Sequence, residues 1–76
     1  MWIRAQNGEE ILEVKRFRSV VKGNGDANIL AKLDRETVVI GTYSKDQVES
    51  LMYHLSWLVE KGDNYYAMPV RWEEEE

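Results

Sequence analysis

Between Ser44 and Gly62 apolar residues recur at helical spacing: Val48, Leu51, Met52, Leu55, Leu58 and Val59 follow an i, i+3, i+4, i+7 pattern and form one stripe. The spacing predicts an amphipathic helix over about 45–61. Ser44 with Gln47 gives a capping-box start and Gly62 after Lys61 gives the stop. At 100° per residue Trp57 falls roughly 160° from the centre of that stripe, with Tyr53 beside it. A helix that is apolar on both sides needs two partners, and one small domain supplies one core.

Upstream the period changes to two. Met1 to Gln6 has extended character, and Asn7-Gly8 has the chemistry of a type I′ hairpin turn. Ile11 to Val21 is a second strand, but Leu12 and Val14 share a phase that Arg16 and Arg18 then occupy, while Phe17 and Val21 hold the opposite one. A bulge or bend is therefore expected near Lys15 to Arg16. After the turn Gly23-Asn24-Gly25-Asp26, Asn28 to Leu33 forms a third strand with Ile29, Ala31 and Leu33 in one phase. After Asp34-Arg35-Glu36, Thr37 to Tyr43 forms a fourth. Val38 and Ile40 on one face and Val39 and Tyr43 on the other predict a central or doubly covered strand. Gly41 marks a bulge or a close approach by the helix backbone. Beyond the helix, Tyr65 to Val70 is a short extended segment that Pro69 confines to a sheet edge. The expected architecture is α+β: a four-stranded antiparallel β-meander with one amphipathic helix packed on one face and a short C-terminal extended segment. Residues 1–72 are expected to form a single globular domain and 73–76 an acidic disordered tail.

With 76 residues and no cysteine, the chain has a small core and no disulfide or thiolate metal site, so association between chains is the natural reinforcement. The formal charge is −4; Arg71 and the four terminal glutamates contribute −3 of it, leaving −1 for residues 1–70. A nearly neutral body with an acidic end argues against nucleic-acid binding. No apolar run reaches membrane-spanning length, and Arg4 interrupts the start before a signal-peptide core could form, so a cytoplasmic, membrane-free location is expected.

Met1, Trp2, Ile3, Arg4, Gln6 and Gly8, then Gly41 and Tyr43 before the helix, then Tyr66, Met68 and Pro69 form a pattern spanning most of the chain. It resembles a group of small uncharacterised proteins of Gram-positive bacteria and their phages, with an N-terminal aromatic-Ile-Arg-x-Gln segment and a C-terminal Met-Pro. That resemblance implies a compact β-meander plus helix and a phage or mobile-element origin in a bacterial host cell. It brings no activity and no functional residue.

Candidate chemistry is sparse. His54 is the only imidazole; Ser50 lies one helical turn before it, but a nucleophile and its base also need an orienting acid and an oxyanion hole. No catalytic residues, metal or cofactor are assigned. Asn24, Asp26 and Asn28 imitate the first ligands of a calcium loop, yet Ile29 and Arg35 stand where its glycine and bidentate glutamate belong. Lys22-Gly23-Asn24-Gly25 lacks the spacing of a phosphate loop. Lys15, Arg16, Arg18 and Lys22, with Phe17 among them and Arg4 on a neighbouring strand, form one basic-aromatic cluster for an anion or an acidic partner; balanced by Glu9, Glu10 and Glu13, it is otherwise a solvated strand end.

The aromatic set is the stronger signal: Tyr53, Trp57, Trp2 and Trp72 are the expected interface residues, because amphipathic aromatics anchor interfaces. Tyr65 to Trp72 folding back over the helix is the competing explanation for Tyr53 and Trp57. The expected function is a non-enzymatic, self-associating interaction protein, with a homo-oligomer or one protein partner. The alternative is a phage-encoded inhibitor or sponge that binds a host defence protein or a nucleotide signal, anchored by Arg4, Arg16 and Arg18. A hydrolase using Ser50 and His54 is the third reading.

Overall fold

A computed structural model describes residues 1–71; Trp72 and the acidic tail expected at 73–76 lie outside the described residues. In chain order the elements are β1 (Trp2–Arg4), β2 (Ile11–Glu13), β3 (Arg16–Val21), β4 (Asp26–Lys32), β5 (Thr37–Ser44), α1 (Lys45–Lys61) and β6 (Tyr65–Ala67). The fold is α+β. The single four-stranded meander expected from the sequence is replaced by two three-stranded sheets. In the first, β1 is central, antiparallel to β2 and parallel to β6; in the second, β3, β4 and β5 are antiparallel with β4 central.

The expected second strand is where the sheets divide. Val14 N–H donates to Met1 O at 2.9 Å and Lys15 N–H to Lys32 O at 2.8 Å, so consecutive residues turn to different sheets. Lys32 is also the register partner of Arg16, so two residues oppose one and the strand bulges at Lys15-Arg16. That extra residue reverses the phase: Leu12 and Val14 point inward before it, Phe17 after it. The first hairpin forms, but without a type I′ turn, since Asn7 does not take positive φ and Gly8 does. A longer loop closes it, with Gly8 N–H on Ala5 O at 2.8 Å and Glu9 N–H on the Asn7 side-chain oxygen at 2.9 Å.

In β4 the alternation is regular, with Ala27, Ile29 and Ala31 buried. In β5 it is not. Ile29 pairs with Gly41 and Leu30 with Val39, leaving Ile40 as the inserted residue of a second bulge. Tyr43 is thereby turned to the same buried face as Val38 and Ile40, correcting the expected two-faced pattern, and Val39 is left 52% exposed. Nor is β5 central; it is an edge, but a closed one. Gln6 N–H donates to Ile40 O (2.8 Å), Thr42 N–H to Gln6 Oε1 (2.8 Å) and Gln6 Nε2 to Thr42 O (3.2 Å), fastening the hairpin loop of the first sheet to the edge of the second.

At Gly41 the close approach comes from Tyr43, not from the helix backbone. A Cβ placed there would lie 2.8 Å from Tyr43 Cζ and Oη. The tyrosine is fully buried, and its hydroxyl donates to Pro69 O at 2.7 Å. Burial pushes that hydroxyl up to about 12, with Tyr66 adding to the shift.

Helix α1 begins and ends as expected: Ser44 Oγ accepts from Gln47 N–H at 3.3 Å, and Gly62 N–H bonds the carbonyls of Leu58 and Val59. Val48, Leu51, Leu55 and Leu58 are buried against the sheets and Met52 partly so, but Val59, expected in the stripe, is 57% exposed. Gln47 is buried instead, its amide donating to Val70 O at 3.0 Å. On the first sheet, Trp2 N–H bonds Asn64 O (2.7 Å) and Met68 N–H bonds Arg4 O (2.9 Å), which aligns β6 as an edge strand; Pro69 lies beyond it.

Two predictions test this arrangement. Gly41→Ala should lower stability by about 1–3 kcal/mol in urea unfolding, because the new methyl group displaces the Tyr43 ring. For Tyr43, a folded-state value above the unfolded one (about 10) means that the neutral hydroxyl favours the fold. Unfolding free energy should therefore fall as pH rises from about 10 to 12. Tyr43→Phe should flatten that decline while costing about 0.5–1.5 kcal/mol at neutral pH.

Candidate interaction surfaces

Helix α1 lies across the inner face of the second sheet and leaves two flanks in solvent. At about 100° per residue, Met52, Tyr53, Ser56 and Val59 turn toward β3, whereas Ser50, His54, Trp57 and Lys61 turn toward β6. Tyr53 and Trp57, read together from the sequence, thus border different surfaces. Tyr53 is 82% exposed on the β3 side. Trp57 is 49% exposed on the other. There its ring stacks on His54 (centroids 5.7 Å apart), His54 meets the edge of Tyr66 (5.2 Å), and Lys61 Nζ lies 4.7 Å from the Trp57 ring centroid.

The C-terminal segment was the competing cover for both aromatics. Within that segment Tyr66 meets the Trp57 flank, by way of His54. Residues 68–71 run elsewhere: Pro69 to Tyr43, Val70 to Gln47, and Arg71 to Asp26. The hydrogen bond from Arg71 Nη2 at 2.6 Å holds the Asp26 carboxyl below its ordinary range, and the charges of Arg71 and Lys22 lower it further. Trp2 is exposed on the outer face of the first sheet, directly across from exposed Tyr65. Trp72 lies outside the described residues.

The basic cluster is divided. Arg4 does not join it: its guanidinium donates to Gly8 O through Nε (3.2 Å) and Nη2 (3.1 Å) and so secures its own hairpin. Lys15 pairs with Asp34 at 3.5 Å. Arg16 and Arg18 are together on the outer face of the second sheet, where the register adds Lys32, missed in the sequence. With Leu30 and Thr37 they line a shallow hollow of about 540 Å³. Lys22 stands at the far end of β3, near Asp26.

Sequence reasoning also missed the groove between β3 and α1. Ser19 and Val21 from the strand and Lys45, Glu49, Met52 and Tyr53 from the helix line a volume of about 400 Å³. Met52 continues into a second, of about 230 Å³, beside Phe17, Ser56 and Val59. Its sequence signal is the phase Phe17, Ser19, Val21, set against Arg16, Arg18 and Lys22 on the other face of the same strand.

The remaining motifs are occupied by the fold. Asn24 Oδ1 accepts from Asp26 N–H (3.1 Å), Asp26 binds Arg71, and Asn28 Oδ1 accepts from Thr42 Oγ1 (2.8 Å), so the calcium-like triplet already has protein partners. Among the described residues no three His, Cys, Asp or Glu side chains are grouped to hold a metal ion. No helix among them is long and apolar enough to cross a membrane. Comparison of the chain with protein-family models, curated proteins and solved structures found no match in any of the three.

Proposed function

We propose that this chain is a non-enzymatic interaction protein that associates with a second copy of itself through the Trp57 flank of α1 and the adjoining edge of β6. Trp57 carries this reading. Its indole is half exposed, held in place by His54 and Lys61, and set beside an edge strand whose residue Tyr65 lies across from Trp2. An aromatic ring oriented in advance loses little side-chain freedom on docking and brings a large area to an interface. Association also reinforces a small single core. A phage or mobile-element setting belongs to the same proposal and rests on the family resemblance alone.

Light scattering at micromolar concentration should show a dimer or larger assembly. Trp57→Glu should weaken it by about 2 kcal/mol or more, roughly thirtyfold in dissociation constant, with helix content unchanged. A monomeric wild type would overturn the reading.

The hollow formed by Arg16, Arg18 and Lys32 favours a second reading, an inhibitor or sponge that takes up a nucleotide signal or an acidic surface of a host defence protein. Three cations around an apolar floor of Leu30 suit a phosphate attached to a flat ring. A nucleotide at 100 times its dissociation constant should stabilise the fold by about 2.7 kcal/mol and raise Tm by several degrees. Arg18→Glu should abolish that rise and Arg4→Ala should leave it. Unchanged Tm across nucleotides removes this reading.

A further inference from the structure

We propose that the groove between β3 and α1 is a strand-docking site. Its occupant is an extended segment of a partner protein with apolar side chains at alternate positions and carboxylates at the positions between. The site lies on the flank of α1 opposite Trp57, so it goes beyond self-association and stands or falls separately.

The backbone supplies the first argument. Among the described residues β3 pairs with β4 alone. Lys22 N–H donates to Asp26 O at 2.8 Å. Because an antiparallel ladder alternates, the main-chain groups of Arg16, Arg18 and Val20 also turn to β4, and those of Phe17, Ser19 and Val21 turn to the open edge. The side chains of these same three residues line the groove. A partner helix lying there would bury edge N–H and C=O groups without hydrogen bonds, whereas an added strand satisfies them. The six residues of β3 span about 20 Å, enough to pair a segment of five or six residues.

Side chains set the chemistry of the occupant. Its inward residues would meet Val21, which is 59% exposed, together with Met52, Tyr53 and Val59, all apolar or aromatic. Its outward residues would lie about 5 Å from Arg16, Arg18 and Lys22, with Lys45 at one end of the groove. Among the described residues Glu49 is the one acidic side chain lining the groove. Carboxylates are therefore matched at the outward positions.

The same charges disfavour a second copy of β3 as the occupant. Antiparallel self-pairing centred on Ser19 sets Arg16 against Lys22; centred on Arg18 it sets that residue against itself; centred on Val20 it sets Arg18 against Lys22. Each opposes like charges across the strands.

The test is fluorescence anisotropy with a labelled eleven-residue peptide in which valine alternates with glutamate, titrated with the full chain. Saturable binding is expected, at least tenfold tighter than to the same peptide with lysine in place of glutamate. Ser19→Pro removes an open-edge donor without touching the β4 ladder and should weaken binding at least tenfold. Met52→Glu, which charges the groove wall, should do the same if the proline variant does not fold. Amide exchange at Phe17, Ser19 and Val21 should slow when peptide is added. Equal binding of the lysine peptide, undiminished binding by folded Ser19→Pro or Met52→Glu, or tighter binding of single-stranded oligothymidylate would each overturn the proposal. Trp57→Glu should bind the peptide as the wild type does. Light scattering on the same samples reports self-association independently, so failure of one reading is distinguishable from failure of the other.

Discussion

Tyr43 closes the structure. Its ring fits because Gly41 has no side chain, and it points inward because the bulge at Ile40 shifts β5 by one residue. Its hydroxyl, fully buried, needs an acceptor, and Pro69 O supplies it. That bond fixes the chain beyond β6 against β5 and brings Val70 O within reach of the buried amide of Gln47 and Arg71 within reach of Asp26. One tyrosine thus joins the edge of the second sheet, the start of α1, and the segment leaving the first sheet. With Gln6 holding the opposite end of the hairpin to Ile40 and Thr42, the two sheets enclose one core although no single sheet spans it.

What the sequence made legible was local. The helix, its Ser44 cap and its Gly62 stop follow from spacing and from chemistry within a few residues. The alternation of β4 and the bend at Lys15-Arg16 were likewise visible in the phase of neighbouring side chains. What escaped depended on a partner distant in the chain. A bulge inserts one residue and so exchanges the two faces of a strand. Gly41 marks a bulge or a close approach in the sequence, but that Ile40 is the inserted residue, and that Tyr43 is thereby brought inside, only the register with β4 reveals. The division into two sheets is of the same kind, since whether Val14 and Lys15 turn to one neighbour or to two is decided by Met1 and Lys32.

The candidate surfaces were legible in composition but not in grouping. Tyr53 and Trp57 are four residues apart and look like a pair on a helical wheel, yet roughly 40° of rotation separates them, enough to place them on opposite sides of the exposed ridge of α1. Arg4 belongs to the basic cluster by composition, but its guanidinium is held by the Gly8 carbonyl four residues on, within its own hairpin. Lys32 had no reason to be included until β4 placed it across from Arg16.

Small sheets have many edges for their size, and this one treats them unequally. The edge of β5 is closed by Gln6. Among the described residues no strand pairs with the outer edge of β3, and its outward residues Arg16, Arg18 and Lys22 are cations. Charge on such an edge discourages pairing between identical chains, because the antiparallel registers centred on Arg18, Ser19 and Val20 each bring like charges together. The same cations do not oppose a strand of opposite charge. They would offset the cost of desolvating its carboxylates beside the apolar groove. A single sequence choice on β3 thus acts in two directions, disfavouring the pairing of β3 with its own copy while suiting the same edge to a strand of opposite charge.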